Sequence, residues 1–349
     1  MIVKNEARVI ERCLRSVMGL IDTWVISDTG STDGTQEIVR RCLSEIPGEL
    51  HQDEWVDFGH NRSLNLQHAA GKADYLLLID ADMVVRTVGE WPTPTADSYM
   101  IRHEGDLLYR NRRLVSGRIA WRYEGVTHEF ITSDNPASVE NLDAIVVEHF
   151  ADGGSRSDKF ERDARLLAED LQRHPANARS VFYLAQTMRD MGDIPEAVRL
   201  YRQRAAMGGW GEEVYYSLLQ VGLLEDQLGN WPAAMDAFVQ AMECRPSRLE
   251  ACYELVSRLR TRGHHHTAHT LVKAALERPM PDDVLFVHPS VYRWGLLFEY
   301  SIVAYWVGDA EGSLRACDTL LAMDDLPSAI RERTRLNRKF PADKLAMVN

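Results

Sequence analysis

Residues 1 to about 150 alternate short apolar runs with stretches in which apolar residues recur at helical spacing. A short apolar run bounded by turn signals predicts a buried strand, and a period near 3.6 residues predicts an amphipathic helix. Predicted strands span residues 1–3, 24–26 and 75–79, and predicted helices span residues 7–18, 36–43 and 61–70. This alternation favours a parallel, doubly wound α/β sheet, in which ligands bind beyond the carboxyl ends of the strands. Asp28 and Asp80 both follow predicted strands, so we expect them to line one crevice.

From about residue 158 the pattern changes to pairs of amphipathic helices. A glycine interrupts each pair, and a small residue follows that glycine five positions later. The glycines are Gly192, Gly229, Gly263 and Gly308, and the small residues are Ala197, Ala234, Ala268 and Ser313. A repeat near 34 residues with this pattern resembles tetratricopeptide repeats and predicts an all-α solenoid of about four units. We expect an α/β domain over residues 1–152, a repeat domain over 158–325 and a C-terminal tail over 326–349. The Gly- and Ser-rich residues 153–157 are the expected linker.

Composition and charge narrow the class of protein. The chain has 349 residues, of which 45% are hydrophobic and 26% charged, as in a globular protein large enough for two domains. No apolar run approaches the roughly 18–20 residues of a membrane span. Lys4 and Glu6 do not fit a secretory signal, so we expect a cytoplasmic protein. Five scattered cysteines without a CxxC pair disfavour a disulfide framework or a structural zinc. The net charge of −12 disfavours binding of nucleic acid along the whole surface.

An acidic pair, Asp80 and Asp82, follows the most apolar of the predicted strands. Carboxylates at such a place are costly unless they are paired or bound to a metal. Mg²⁺ or Mn²⁺ takes few carboxylates and completes its shell with phosphate oxygens, so the pair is a candidate site for a metal and a nucleotide diphosphate. The alternative is a pair of aspartates that cap the strand end.

A third acidic residue, Asp28, opens a turn-rich loop over residues 28–35. Its carboxylate is a candidate acceptor for a hydrogen bond from a base or a ribose hydroxyl. The alternative is a plain turn in which Thr32 or Asp33 caps the next helix.

Taken together, five motifs within residues 1–150 resemble those of one enzyme family. They are Ile2-Val3-Lys4-Asn5-Glu6, Asp28-Thr29-Gly30-Ser31-Thr32-Asp33, Asn61-Arg62, Leu78-Ile79-Asp80-Ala81-Asp82, and Trp121 followed by Gly125-Val126-Thr127-His128-Glu129. This ordered set resembles the family 2 glycosyltransferases of the GT-A fold. The resemblance implies a Rossmann-like α/β domain that binds a nucleotide sugar, with a UDP-sugar as the expected donor and Mn²⁺ or Mg²⁺ as the cofactor. With the repeats behind it, the chain is similar to a subgroup that includes bacterial peptide S-glycosyltransferases.

The resemblance also implies roles for particular residues. The nucleotide is expected to contact Val3, Glu6, Asp28, Arg62 and Asp80. Asp82 is expected to ligate the metal, with Asp80 doing so directly or through water and ribose. Enzymes of this fold often supply a third metal ligand from a later histidine. His149, which follows a strand-like run, is the first candidate for that ligand and His128 is the second.

The resemblance further implies inversion at the sugar, which requires a general base to take the acceptor's proton. Glu129 holds the position where related enzymes carry an acidic residue, so it is the predicted base. The adjacent His128 is a second candidate catalytic residue, and Asp106 is the alternative base.

The acceptor is predicted from the repeats. Helical repeats form concave surfaces that hold extended chains or mediate self-association, so we expect a peptide or protein acceptor and a homo-oligomer formed through the repeats. Five arginines within residues 110–122 are either solvated loop charge with one diphosphate contact or an edge for a polar or anionic acceptor. Because of these arginines, a second hypothesis is that the acceptor is a hydroxylated base in viral DNA. A third hypothesis is a saccharide or lipid-linked acceptor. The non-enzymatic alternative is a repeat scaffold with a degenerate transferase domain.

Overall fold

The structure is a computed structural model that describes residues 1–104, 109–135, 137–150, 152–153 and 159–347. The chain forms two compact units, Met1–Pro175 and Ala176–Asn349. The first unit is built from strands and helices and the second from helix pairs, which confirms the predicted order of an α/β domain followed by an all-α repeat domain. In the part of the chain that is described, no helix is both long and apolar enough to cross a lipid bilayer.

The first unit contains ten described strands and four helices. In chain order they are β1 Ile2–Val3, α1 Ile10–Val17, β2 Trp24–Asp28, α2 Thr35–Cys42, β3 Gly48–Gln52, α3 Phe58–Ala69, β4 Tyr75–Leu77, β5 Met83–Thr87, β6 Ser98–Glu104, β7 Tyr109–Ser116, β8 Arg122–Glu124, β9 Phe130–Thr132, β10 Val139–His149 and α4 Lys159–Arg173.

The strands form three sheets, and the expectation of one parallel sheet is wrong. β1, β2 and β3 pair in parallel, whereas β4 joins a mixed five-stranded sheet in the order β4-β7-β6-β10-β5. β4 pairs antiparallel with β7, with Leu77 opposite Leu114. β1 has two residues and pairs with only the end of β2, and a cavity of about 460 Å³ is lined by residues of β2 and β4. β8 and β9 form a separate hairpin.

Helix α1 packs against the cores of both larger sheets. Ile10 and Leu14 belong to the apolar core formed with β1, β2 and α2, while Cys13 and Val17 belong to the core under the five-stranded sheet. This spacing of apolar residues at i, i+3, i+4 and i+7 is the pattern that predicted the helix. One helix therefore contributes to the apolar cores of both sheets.

The starts of all three helices predicted in the first unit differ from the predictions, and α1 begins at Ile10 instead of residue 7. α3 begins at Phe58, three residues before the predicted start at residue 61, because the side chain of Asp57 accepts a backbone N–H of its first turn. α2 follows Gly34, which has no side chain to cap it. Asp33, one of the two predicted caps, accepts hydrogen bonds from the backbone and the hydroxyl of Thr35.

The second unit consists of helices that pair as the glycine pattern predicted. The helices are α5 Ala178–Met191, α6 Ile194–Ala206, α7 Gly211–Gln227, α8 Trp231–Cys244, α9 Glu250–Thr261, α10 His265–Ala275, α11 Leu296–Trp306, α12 Ala310–Leu321 and α13 Ser328–Ala346, with a π-helical turn Val291–Gly295 before α11. Gly192, Gly229, Gly263 and Gly308 lie between paired helices, all with positive φ. Ala197, Ala234, Ala268 and Ser313 are all buried on the second helix of a pair. The segment expected as a tail largely forms α13.

Candidate functional site

The floor of the crevice is made by two loops that hydrogen bonds join together. The carbonyl of Val3 accepts the N–H of Thr29 at 2.9 Å, and the N–H of Glu6 donates to Thr35 Oγ1 at 2.8 Å. Asn5, with a φ of 56°, accepts the N–H of Thr32 through its side chain. The first and second sequence motifs therefore form one surface at the ends of β1 and β2.

Asp28 ends β2 and is 1% exposed. Its Oδ1 accepts the N–H groups of Gly30 and Ser31, at 2.9 and 2.8 Å, and the side-chain amide of Gln36. Its buried Oδ2 has no hydrogen-bond partner among the described residues. A buried carboxylate oxygen without a donor is unfavourable, so this atom is suited to accept a hydrogen bond from a ligand.

Asp80, in the turn after β4, is held between two arginines. Arg62 Nη1 lies 2.7 Å from Oδ1, and Arg113 Nη1 lies 3.2 Å from Oδ2. Burial alone would raise the pKa of Asp80, but the two guanidinium groups outweigh burial and hold that pKa well below its usual range. Asp80 is therefore a paired anion, and its predicted role as a metal ligand stays a prediction.

Glu129 joins this cluster through Arg62. Glu129 Oε1 lies 2.6 Å from Arg62 Nε in a close ion pair, without the alignment of a hydrogen bond, and the carboxylate is 13% exposed. Burial would lower the pKa of Arg62, but the charges of Asp80 and then Glu129 raise it, so the guanidinium stays charged. The structure thus brings three of the predicted site residues into direct contact.

The approach of α3 to the loop at residues 125–129 makes that contact geometrically possible. The N–H of Phe58 donates to the carbonyl of Val126 at 3.1 Å. A Cβ atom at Gly59 would lie 2.3 Å from the carbonyl oxygen of Gly125, so the two backbones meet where no side chain fits. His128 has an exposed side chain and a φ of 51°, a conformation that is uncommon outside glycine.

Asp82 lies beside His149 and near Glu6. His149 Nε2 is 3.1 Å from Asp82 Oδ2, because β10 pairs with β5 and sets His149 opposite Met83. A Cβ atom at Gly153 would lie 3.2 Å from Glu6 Oε2 and 3.3 Å from Asp82 Oδ2, so both carboxylates approach one point. Two carboxylates and an imidazole are ligand types that Mn²⁺ accepts.

Asp82, His149 and Glu6 are not arranged as the ligands of a metal ion in this structure. Within the described ranges, no three His, Cys, Asp or Glu side chains are arranged to hold a metal ion. The donor chemistry of Asp82, His149 and Glu6 nevertheless fits a divalent cation. Asp106 and linker residues 154–157 lie outside the described residues.

The five arginines of residues 110–122 do not form one patch. Arg110 pairs with Asp143, Arg118 pairs with Asp74, and Arg122 pairs with Glu124 and Asp134. Arg112 packs over Trp121, 5.4 Å from the ring centre, and burial lowers its pKa. Only Arg113 enters the crevice. Sequence reasoning missed its contact with Asp80, because that contact depends on the antiparallel pairing of β4 with β7.

In open α/β folds, ligands bind beyond the carboxyl ends of the strands, and this domain gathers acidic and basic side chains at such strand ends. Residues 1–87 match the family model described as glycosyl transferase family 2. Residues 1–87 of the N-terminal unit are therefore similar to glycosyl transferase family 2, and helix pairs with the tetratricopeptide pattern make up the second unit. This confirms the resemblance that the five motifs indicated.

Two curated relatives and two solved structures illustrate the similarity. A TPR repeat-containing protein of Synechococcus elongatus is 28% identical over 267 residues, which cover 70% of this chain and 65% of that protein. The glycosyltransferase SunS, derived from the SPbeta prophage of Bacillus subtilis, is 23% identical over 218 residues, which cover 56% of this chain and 50% of SunS. The chain thus spans less than two thirds of the length of either relative.

YrrB, a TPR protein with an unusual peptide-binding site, matches 52% of this chain and 86% of its own at 14% identity and a TM-score of 0.39. MamA matches 45% of this chain and 84% of its own at 15% identity and a TM-score of 0.37.

Proposed function

We propose that the protein is a metal-dependent, inverting glycosyltransferase that moves a sugar from a UDP-type donor to a macromolecular acceptor, a peptide or protein. The observation that carries this proposal is the cluster of Arg62, Asp80 and Glu129 in one crevice with the unpartnered Oδ2 of Asp28. The cluster joins residues suited to a diphosphate with a carboxylate suited to proton transfer. Such an arrangement is costly to keep in a degenerate scaffold, since each charge is partly buried.

The donor nucleotide is proposed to lie across the ends of β1 and β2. Asp28 Oδ2 would accept the N–H of the base or a ribose hydroxyl, replacing the partner it lacks. Arg62 would contact the diphosphate, and the loop of Val3 and Glu6 would frame the nucleotide from the first strand.

A divalent cation is supported by the charge of the site. Glu6 and Asp82 direct their carboxylates towards one point beside Gly153, and the imidazole of His149 lies 3.1 Å from Asp82 Oδ2. Asp82 and His149, with Glu6 nearby, would hold Mn²⁺ or Mg²⁺. When bound, the metal would neutralise the charge of the departing nucleoside diphosphate.

Glu129 is the proposed general base. Its carboxylate is exposed enough to meet an acceptor, yet the contact with Arg62 fixes its position. A base held in this way removes the acceptor's proton as the nucleophile attacks the sugar from the face opposite the leaving group.

A peptide or protein acceptor is proposed because the helical repeats offer an extended surface. DNA is less well supported than the sequence suggested, since four of the five arginines that kept it open are paired with acids or packed on an aromatic ring. Cytoplasmic location and self-association through the repeats stay predictions.

Calorimetric titration of nucleotides, with and without Mn²⁺, tests the donor site. We expect UDP to bind more tightly with Mn²⁺, and Asp28→Asn to weaken binding at least about tenfold, the cost of one hydrogen bond to a charged group. Asp74→Asn, which removes an exposed carboxylate paired with Arg118, is the control and should bind normally. If no nucleoside diphosphate binds and no nucleotide sugar is hydrolysed with Mn²⁺, the proposal is wrong. Mass spectrometry of candidate peptides and hydroxymethylated DNA would then identify the acceptor.

A further inference from the structure

Asp80 and Arg62 each have two partners of opposite charge. Arg62 lies between Asp80, at 2.7 Å, and Glu129, at 2.6 Å. Asp80 lies between Arg62 and Arg113, the latter at 3.2 Å. The result is a chain of alternating charge in which Arg113 is the last charged member.

Arg113 is fixed more firmly than a surface arginine. Its backbone carbonyl accepts the N–H of Leu78 at 2.7 Å, which extends the pairing of β4 with β7 into the turn that carries Asp80. Its side chain is 13% exposed, and its Nε donates to His103 Nε2 at 3.4 Å. Burial, followed by the charge of Arg113, lowers the pKa of His103 to about 4, so this imidazole is a neutral acceptor at pH 7.

Arg62 has two roles that compete, as counter-ion of Asp80 and as ligand of the diphosphate, and Arg113 can take over the first of them. If Arg62 turns towards the diphosphate of a donor, its ion pair with Asp80 is weakened. Without a second cation, that movement would leave Asp80 buried and uncompensated, which is strongly unfavourable. With Arg113 in place, Asp80 keeps a counter-ion while Arg62 turns to the phosphates.

We propose that Arg113 is a positioning residue, the permanent counter-ion of Asp80 that frees Arg62 to bind the diphosphate of the donor. The inference rests on the proposed function, because it assigns Arg113 a part in binding the same nucleotide. Arg113 acts through Asp80 and makes no contact with the phosphates itself. Its contribution therefore depends on the diphosphate and on the carboxylate of Asp80.

The first measurement compares the affinities of UDP and uridine, both with Mn²⁺, by calorimetric titration. We expect Arg113→Gln to weaken UDP binding at least about tenfold and to leave uridine binding within twofold of the wild type. Arg113→Lys should restore most of the UDP affinity, since it keeps the charge. Arg118→Gln, which removes an exposed arginine paired with Asp74, is the matched control. An equal loss for uridine and UDP would indicate a merely structural role and overturn the proposal.

The second measurement is a double-mutant cycle with Asp80→Asn, whose neutral side chain needs no counter-ion. We expect Arg113→Gln to weaken UDP binding in the wild-type background and to change it less than twofold in the Asp80→Asn background. A tenfold loss in both backgrounds would show that Arg113 contacts the phosphates directly, and it would overturn the inference while leaving the proposed function standing. If the wild-type protein binds no nucleoside diphosphate, the proposed function and the inference fail together.

Discussion

At the scale of single residues, the crevice is organised by ion pairs. Asp80 has both oxygens against guanidinium groups, and Arg62 contacts two carboxylates. Charges that are partly buried and paired keep fixed positions, because any rotation exposes one of them to a poorly compensated environment. The ends of this cluster, Glu129 and Arg113, are therefore as important for its geometry as the acidic motif between them.

Replacing Glu129 by Gln separates proton transfer from donor binding. The amide keeps the shape of the side chain but cannot take the acceptor's proton, so we expect kcat to fall by about 10²–10⁴-fold. Arg62 loses one acidic partner and stays free for the diphosphate, so the affinity for UDP should change less than threefold. Steady-state kinetics and calorimetric titration measure the two effects.

The control for that variant is Glu124→Gln. Glu124 lies on the neighbouring hairpin strand β8 and pairs with Arg122 at an exposed position, so its loss should leave kcat unchanged. Turnover of Glu129→Gln within a few-fold of the wild type would remove Glu129 as the base.

The buried His103 makes stability depend on pH. It is 1% exposed, and burial first and Arg113 second lower its pKa to about 4, whereas an unfolded histidine titrates near 6.5. Between these values the unfolded chain binds a proton that the folded chain does not. His103 therefore contributes its full stability above pH 6.5 and loses it as the pH falls towards 4, by up to about 3 kcal/mol.

Urea unfolding at pH 7.5 and pH 4.5 tests this. The free energy of unfolding of the wild type should decrease between the two pH values by about 2–3 kcal/mol more than that of His103→Gln. Replacing the exposed His266 by Gln should leave the pH dependence of the wild type unchanged. Identical pH profiles for wild type and His103→Gln would contradict the assignment.

At the scale of elements, the N-terminus of α3 and the loop at residues 125–129 are in direct backbone contact. Their backbones touch at Gly59 and Gly125, and the hydrogen bond from Phe58 to Val126 fixes their register. This contact brings Arg62 to Glu129, and thus links two motifs that are more than sixty residues apart in the chain.

Gly59→Ala should disturb that contact. Its Cβ would lie 2.3 Å from the carbonyl oxygen of Gly125, a backbone atom that cannot move without shifting the loop. We expect a loss of about 1–3 kcal/mol of stability and a decrease of kcat as Glu129 moves away from Arg62. Thermal unfolding and steady-state kinetics measure both. Gly19→Ala, where a Cβ meets nothing within 4 Å, is the control, and equal behaviour of the two variants would contradict the role of this contact.

The motifs named residues that the structure brings into contact, whereas the strand pattern did not predict the sheet around them. Asp28 was expected at a strand end because an apolar run precedes a turn-rich segment, and the structure places it there. The apolar run at residues 75–79 predicted a buried strand but gave no information about its neighbour, since pairing partners are not encoded in a single short run. The antiparallel pairing with β7 was missed for that reason, and with it the contact of Arg113 with Asp80.

In the second unit the helix pairs were predicted correctly, because each repeat carries the same sequence pattern of a turn glycine and a small residue. A glycine with positive φ at each turn and a buried small residue five positions later are local requirements of a helix pair. Ion pairs between repeats, such as that of Arg260 on α9 with Glu299 on α11, were not predicted, since each joins residues that are far apart in the sequence.

At the scale of the whole molecule, the two compact units have separate apolar cores. The second unit also contains a buried polar network. Arg248 is fully buried, pairs with Glu250 and Asp283, and donates to the carbonyl of Leu285 at 3.0 Å. This network connects residues 283–285, which precede the π-helical turn, to the start of α9.

Arg248→Met should therefore destabilise the second unit by about 3–5 kcal/mol, because Glu250 and Asp283 would lose a buried counter-ion. If the first unit binds the donor on its own, the variant should bind UDP with unchanged affinity at temperatures where both units are folded. Calorimetric unfolding and titration of UDP with Mn²⁺ measure the two properties. Arg315→Met, which removes an exposed ion pair with Glu311, should cost less than about 1 kcal/mol and serves as the control. A weaker UDP affinity in Arg248→Met alone would mean that the repeats take part in donor binding, and the donor site could then no longer be assigned to the first unit by itself.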